Sequence, residues 1–210
     1  MSGPTARDLE RLAAEVRACR ICIERPKGKP LPHEPRPVLR VSTTARIAVC
    51  GQAPGTRVHA SGLPFSDPSG VRLRKWMGVS EDEFYDVSRI AFIPMGFCFP
   101  GLDAKGGDMP PRRECAAAWR ARVIAALPQI ELFLLVGRHA HLWHLREAAG
   151  GGMTATVERA ADILALASAP RCLPLPHPSW RNSAWLQRNS WFAERVVPLL
   201  QREVRRLLKS

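Results

Sequence analysis

The sequence predicts an α/β fold: a single three-layer αβα domain built on a central, mostly parallel sheet of four strands. Two observations predict it. Short apolar runs alternate along the chain with amphipathic helical stretches, the pattern of strand–helix–strand units whose strands are covered on both faces. Each apolar run also ends in a loop of glycine or proline, so the chain breaks at the same end of every strand. The 210 residues are enough to bury one sizeable core. No internal repeat and no second domain is visible. Residues 1–45 are expected to supply a helix and an extended segment, and residues 46–210 the core.

Taken in order, the first helix is predicted over Ala6–Cys19, where Leu9, Leu12, Ala13 and Val16 share one face. The Pro- and Lys-rich stretch Arg25–Arg40 reads as an extended connection. Strands follow at Arg46–Cys50, Arg89–Ile93, Glu131–Val136 and Arg171–Leu175. Helices are predicted at Gly70–Met77, Pro111–Leu127 (opened by proline, a good first-turn residue) and Arg138–Ala148, with a weaker one at Val157–Ala167. An amphipathic helix, Trp191–Leu208, closes the chain.

Composition narrows the partners. No apolar run approaches the roughly 18 residues of a membrane span, and Met1–Glu15 lacks the apolar stretch of a signal peptide. A cytoplasmic protein without a membrane partner is expected, and a monomer. In that compartment the six cysteines are expected as buried thiols or metal ligands rather than disulfides. The 31 Lys and Arg against 19 Asp and Glu leave a formal charge of +12. Such an excess favours a polyanion, because each phosphate contact releases condensed counterions. A merely solvated basic surface would read the same way.

The loops after the strands carry the chemistry. The first strand runs into Gly51-Gln52-Ala53-Pro54-Gly55, the second into Pro94-Met95-Gly96-Phe97-Cys98, the third into Gly137-Arg138-His139 and the fourth into Pro176-His177-Pro178-Ser179-Trp180. Ligand sites in open parallel sheets form outside the carboxyl ends of the strands. Gln52, His139 and His177 are therefore the groups expected at one edge.

The pair Gly51-Gln-Ala-Pro-Gly55 and His177-Pro-Ser179, with Gly62-Leu-Pro64-Phe65 in register between them, resembles the signature motifs of the uracil-DNA glycosylase superfamily. The chain is most similar there to the thermostable iron–sulfur branches, families four and five, from about Cys19 to Trp191. The resemblance implies DNA containing uracil or another damaged base as the partner. It implies hydrolysis of the N-glycosidic bond of a flipped uracil, the opening step of base-excision repair. Such a reaction needs donors aimed at the departing base anion, a group that stabilises the sugar cation and positions water, and a dry pocket.

By that resemblance His177 supplies an N–H to the base. Gln52 and Ala53 bind its edge, Phe65 provides the stacking ring, and Pro54 and Gly55 let the backbone approach a phosphate. In the best-known branch an acid stands where this chain has Ala53. The branch with an Ala-Pro-Gly first motif uses an aspartate instead, and Asp67 in Asp67-Pro-Ser-Gly70 fits, one residue nearer to Phe65 than in that pattern. An N-cap for the next helix is its other reading. His59 is the second choice for handling the water. Ser179, Trp180 and Arg181 are expected to enter the minor groove, with Trp185 and Trp191 as core anchors.

Many relatives place a uracil-reading asparagine four residues before the cysteine that follows the second strand. This chain has Pro94 there, which offers neither an amide nor an N–H. Selectivity is then expected from Gln52, the main chain of Met95 to Phe97, or Asn182, with slow release of deaminated purines.

Cys19-Arg-Ile-Cys22, Cys98 and Cys115 would suit zinc or an iron–sulfur cluster equally by residue type alone. The resemblance implies a structural [4Fe–4S] cluster. Cys50 and Cys172 are expected in the core. Two other functions compete: a nucleotide-binding or hydrolytic α/β enzyme, against which stands the lack of a G-x-G-x-x-G or P-loop, and a cluster-bearing nucleic-acid-binding protein without catalysis.

Overall fold

The computed structural model describes residues 4–166 and 170–209. Strands β1 (Ile47–Cys50), β2 (Ile90–Phe92), β3 (Leu132–Val136) and β4 (Arg171–Leu175) form one sheet in the order β2-β1-β3-β4. Every neighbouring pair is parallel. The chain runs from β1 out to β2, then back across β1 to β3 and β4, so all four carboxyl ends lie along one edge.

Side chains of a strand alternate between its two faces, and here the alternation sorts the core. Ile47 and Val49, Ile90 and Phe92, Leu132, Leu134 and Val136, and Leu173 and Leu175 point to one side. There they meet Leu73, Trp76 and Met77 of the helix Pro68–Met77, and Leu200, Val204 and Leu207 of the helix Val197–Leu208. Ala48, Cys50, Ala91, Ile93, Phe133 and Leu135 point to the other side. They pack with Trp119 and Val123 of the helix Arg113–Ala125 and with Leu9, Leu12 and Val16 of the helix Ala6–Arg17. With both faces covered, the strands are apolar apart from Arg171, which opens β4 where it is only partly buried.

Boundaries differ where local chemistry intervenes. The first helix stops at Arg17, opened by a capping box between Thr5 and Asp8. Val157–Ala167 is two short helices, Gly152–Glu158 and Ala160–Ala165, and its last residue, Ala167, lies outside the described residues, as do Met1–Gly3 of the N-terminus. The closing helix begins with a wide turn, Phe192–Val196. Pro198 in the following turn has no N–H to give residue 194 and would crowd its carbonyl, which loosens the turn before it.

Candidate active site

One pocket opens at the carboxyl edge of the sheet. Its walls come from the loop Gly51–Gly55 after β1, from Phe92 and Pro94 at the end of β2, from Phe65 and Asp67, and from His177 after β4. Phe65 forms an aromatic wall. Its backbone is left-handed, φ 54°, a conformation that is strained for a bulky residue and persists only where neighbours enforce it. Two neighbours do so. The hydroxyl of Tyr85 donates to the carbonyls of Pro64 and Phe65 at 3.0 and 3.1 Å. A Cβ on residue 70 would stand 1.7 Å from the Phe65 oxygen, so only glycine lets the helix Pro68–Met77 pass this close. The ring lies against Gly51, where a Cβ would come within 3.2 Å of its tip.

Asp67 is the N-cap of the next helix, one of the two readings the sequence offered for it. Its Oδ1 accepts the N–H groups of Ser69 and Gly70 at 3.0 and 3.3 Å and the Ser69 hydroxyl, which caps the helix Pro68–Met77. The carboxylate also lines the pocket. The cap thus fixes a charged group at the reacting end of the site.

His177 is oriented by its own loop. The Ser179 N–H donates to its Nδ1 at 3.2 Å, so Nδ1 carries the lone pair and the neutral ring keeps its proton on Nε2. Burial pushes the His177 pKa below the ordinary value, and the nearby Asp67 charge opposes that shift. The ring is therefore a neutral N–H donor at physiological pH. Asn182 holds the loop by donating to the His177 carbonyl at 2.7 Å.

Several expected residues lie elsewhere. His59 does not line the pocket; its ring packs on His33 and Phe99, with centroids 4.4 and 5.8 Å away. It follows Val58, which does line the pocket, and successive helical residues point about 100° apart. His139 lines a separate outer groove with Met95 and Trp143, because Gly137 turns left-handed (φ 86°) before the helix Arg138–Leu145. The main chain of residues 95–97 is already committed: Met95 N–H donates to Gly51 O at 2.8 Å, Gly96 N–H to Gln52 O at 2.9 Å, and Phe97 N–H to the Cys115 sulfur at 3.3 Å. Those groups have nothing left for a base edge. Asn182 gives one amide N–H to the His177 carbonyl and lines the groove beside the pocket rather than the pocket itself. Gln52 and Ala53 do line the pocket. Among the described residues their N–H groups meet no main-chain acceptor.

The sequence reading missed Asp108. It stands across the pocket from Phe65 on the loop after β2, and its carboxylate lies 3.2 Å from where a Cβ on Gly55 would be.

A family model described as the uracil DNA glycosylase superfamily matches residues 40–201, from just before β1 into the closing helix. The chain belongs to that superfamily. Its members are DNA glycosylases, hydrolases of the bond between base and sugar, and the match covers every strand and every residue of the pocket but Val38. A groove bounded by Gln52, Asp67, Asp108 and His177 runs out to Ser179, Trp180, Arg181 and Asn182. Trp180 is 76 % exposed, with the Arg181 guanidinium 5.8 Å from its ring centre. Arg72 braces this loop by donating to the Ser179 carbonyl at 2.9 Å. Trp185 and Trp191 instead pack edge to face against each other and the core, 5.7 Å apart. No helix among the described residues is long and apolar enough to cross a membrane.

Cys19, Cys22, Cys98 and Cys115 line a second cavity, together with Val16, Phe97 and Trp119, on the face of the sheet that carries the N-terminal helix. Trp119 Nε1 donates to the Cys19 sulfur at 3.1 Å and the Phe97 N–H to that of Cys115. Burial pushes the Cys98 and Cys115 thiols up to about 12. Among the described residues, no three His, Cys, Asp or Glu side chains are grouped as a single metal ion requires. Four sulfurs in an apolar cavity, two of them accepting N–H donors, are a donor set that thiolate-bound iron or zinc would both take. Cys50 is fully buried, and Cys172 packs against the same core cluster.

Proposed function

We propose that this chain flips uracil out of DNA and hydrolyses its N-glycosidic bond, starting base-excision repair. The observation that carries the reading is one pocket, at the carboxyl edge of the sheet, that combines the Phe65 ring, the neutral His177 donor and the Asp67 carboxylate. The flipped base stacks on Phe65. As the glycosidic bond stretches, negative charge gathers on the base and positive charge on the sugar. The His177 Nε2–H and the free N–H groups of Gln52 and Ala53 stabilise the first, and Asp67 stabilises the second. Trp180 fills the gap left in the duplex, with Arg181 beside it.

A second reading follows from Pro94 and the committed N–H groups after it. The part of the wall formed by Phe92 and Pro94 offers no side-chain amide, and the N–H groups of Met95, Gly96 and Phe97 that follow it are already bonded, so hypoxanthine and xanthine are accepted as slower substrates. A panel of oligonucleotides, each with one damaged base and assayed under single-turnover conditions, tests both. Fastest release of uracil supports the first reading. Release of hypoxanthine without uracil replaces the substrate and keeps the mechanism.

The four-cysteine cavity is read as a structural [4Fe–4S] site that ties the N-terminal helix to the core. Protein purified anaerobically should be brown, and Cys98→Ala or Cys115→Ala should bleach it. Stoichiometric zinc without iron would refute the assignment. The helix Ala6–Arg17 shares its core with Trp119 and Val123, which supports one domain. Six unpaired cysteines suit a reducing cytoplasm, and we take the enzyme to act as a monomer.

A further inference from the structure

We infer that Asp108 is the general base that takes the proton from the attacking water, a role separate from that of Asp67. The inference rests on the glycosylase reading above. Asp108 sits on the loop after β2, which folds back on itself as a small hairpin. Met109 N–H donates to Gly101 O at 2.9 Å, Asp103 N–H to Gly107 O at 2.7 Å, and Leu102 bridges Asp108. Asp103 fixes the tip by accepting the N–H groups of Lys105 and Gly107, both at 2.8 Å. A segment rich in glycine, lysine and aspartate is thereby held still, and its structure is spent on aiming one side chain.

That side chain has no structural task of its own. Asp67 Oδ1 already accepts three donors, whereas the Asp108 carboxylate accepts no hydrogen bond from any described residue. An acceptor held at the pocket without a protein partner keeps its lone pairs for water. Although Asp108 is exposed as a residue, its carboxylate faces the wall made by Gly55 and shares the pocket with Asp67 and His177. Burial raises its pKa above the ordinary carboxylate value; Arg181 opposes this, and the Asp67 and Asp103 charges reinforce it. Two carboxylates in one site divide their work in this way: one stays a fixed anion and the other becomes the better base.

The step balances without another reactant. A lone pair of the water oxygen forms the bond to the sugar carbon C1′, and the pair of the C1′–N bond leaves with the base. The water proton passes to Asp108, which returns it to the released base or to solvent. Gly107 packs so closely on Arg181 that a Cβ there would lie 2.8 Å from its Nη1. The hairpin is therefore seated against the loop that enters DNA.

The test follows single-turnover release of the fastest lesion in the panel, from pH 5 to 9, for wild type, Asp108→Asn and Asp108→Glu. Duplex affinity is measured alongside. We expect the wild-type rate to rise with pH on the acid side as Asp108 ionises. Asp108→Asn should lose about 10²–10⁴-fold in rate, keep its affinity, and lose that acid limb. Added formate should restore part of its rate, and Asp108→Glu should retain the limb. An Asp108→Asn enzyme with the wild-type rate overturns the inference. So does one that is slow but keeps the acid limb, since the residue would then only support the loop. Wild type that releases no base from any lesion overturns the glycosylase reading as well.

Discussion

His177 and Asp67 illustrate how little of an active-site residue's behaviour resides in the residue. The ring's tautomer is imposed by the Ser179 N–H, and the carboxylate's position by the first turn of a helix. In the proposed reaction both groups would act on charge that exists only as the bond breaks. We therefore expect His177→Ala and Asp67→Asn each to lower base release by about 10²–10³-fold with duplex affinity largely retained, measured by single-turnover assay and titration. A histidine outside the pocket gives a different test. His144 accepts from the nearly buried Arg120, which also donates to the Ile93 and Pro94 carbonyls at 3.0 and 3.1 Å. Burial, and then the Arg120 charge, push the His144 pKa down to about 3. The unfolded chain binds this proton below about pH 6.5 and the folded chain does not. Stability is thus full above that pH and falls as pH drops towards 3. In urea melts at pH 7, 6 and 5, His144→Gln should flatten the fall by up to about 1.4 kcal/mol per pH unit.

At the scale of elements, the site depends on how the segment 62–70 is bent. Phe65 is held in a left-handed conformation by the Tyr85 hydroxyl from one side and by the helix passing over Gly70 from the other. Tyr85→Phe removes two hydrogen bonds, and we expect a loss of about 1–3 kcal/mol. Base release should fall by more than duplex affinity, because the ring moves while the DNA rim does not. Thermal melting and the kinetic assay check the two parts. The strands were legible in the sequence because each is buried on both faces, which leaves an unbroken apolar run. His177 was legible because it follows the last of those runs, whereas Phe65 and Asp67 were reached only through the resemblance of Gly62-Leu-Pro-Phe65 and Asp67-Pro-Ser-Gly70 to the family motifs. The helices Thr56–Ser61 and Glu81–Tyr85 are too short to show a period, so His59 could not be placed on the far side of its turn. Asp108 was hidden in a stretch that reads as solvated loop. The available signal was the Asp103…Gly106-Gly107 spacing, an aspartate able to cap a tight reversal. The committed N–H groups of residues 95–97 were invisible for another reason: their partners, Gly51, Gln52 and Cys115, come from other elements.

For the molecule as a whole, charge and site have separate duties. Arg57, Arg72, Arg74 and Lys75 border a groove beside Phe65 and Asp67, and Arg181 stands at the opposite rim. The +12 charge therefore has a place to act next to the pocket. We expect log affinity for duplex DNA to fall linearly with log salt, with a slope set by the phosphates neutralised, and to do so equally for damaged and undamaged DNA. A flat titration between low and physiological salt would show that the arginines do not engage phosphate. Rates at saturating DNA should stay nearly independent of salt, since the pocket's own groups are screened by the protein around them.

The two cysteines at the ends of residues 98–115 open into the same cavity, and the hairpin bearing Asp108 lies between them. With the proposed cluster bound to both cysteines, the segment would be an arc tethered at both feet. Closing such an arc costs entropy that grows only slowly with its length, so it can carry a hairpin of its own while its ends stay fixed. Free one foot and the arc becomes an arm. The concentration of the Asp108 carboxylate at the pocket then drops, although no pocket residue has changed. Damage to the sulfur cavity would register on the far side of the sheet as a slower reaction.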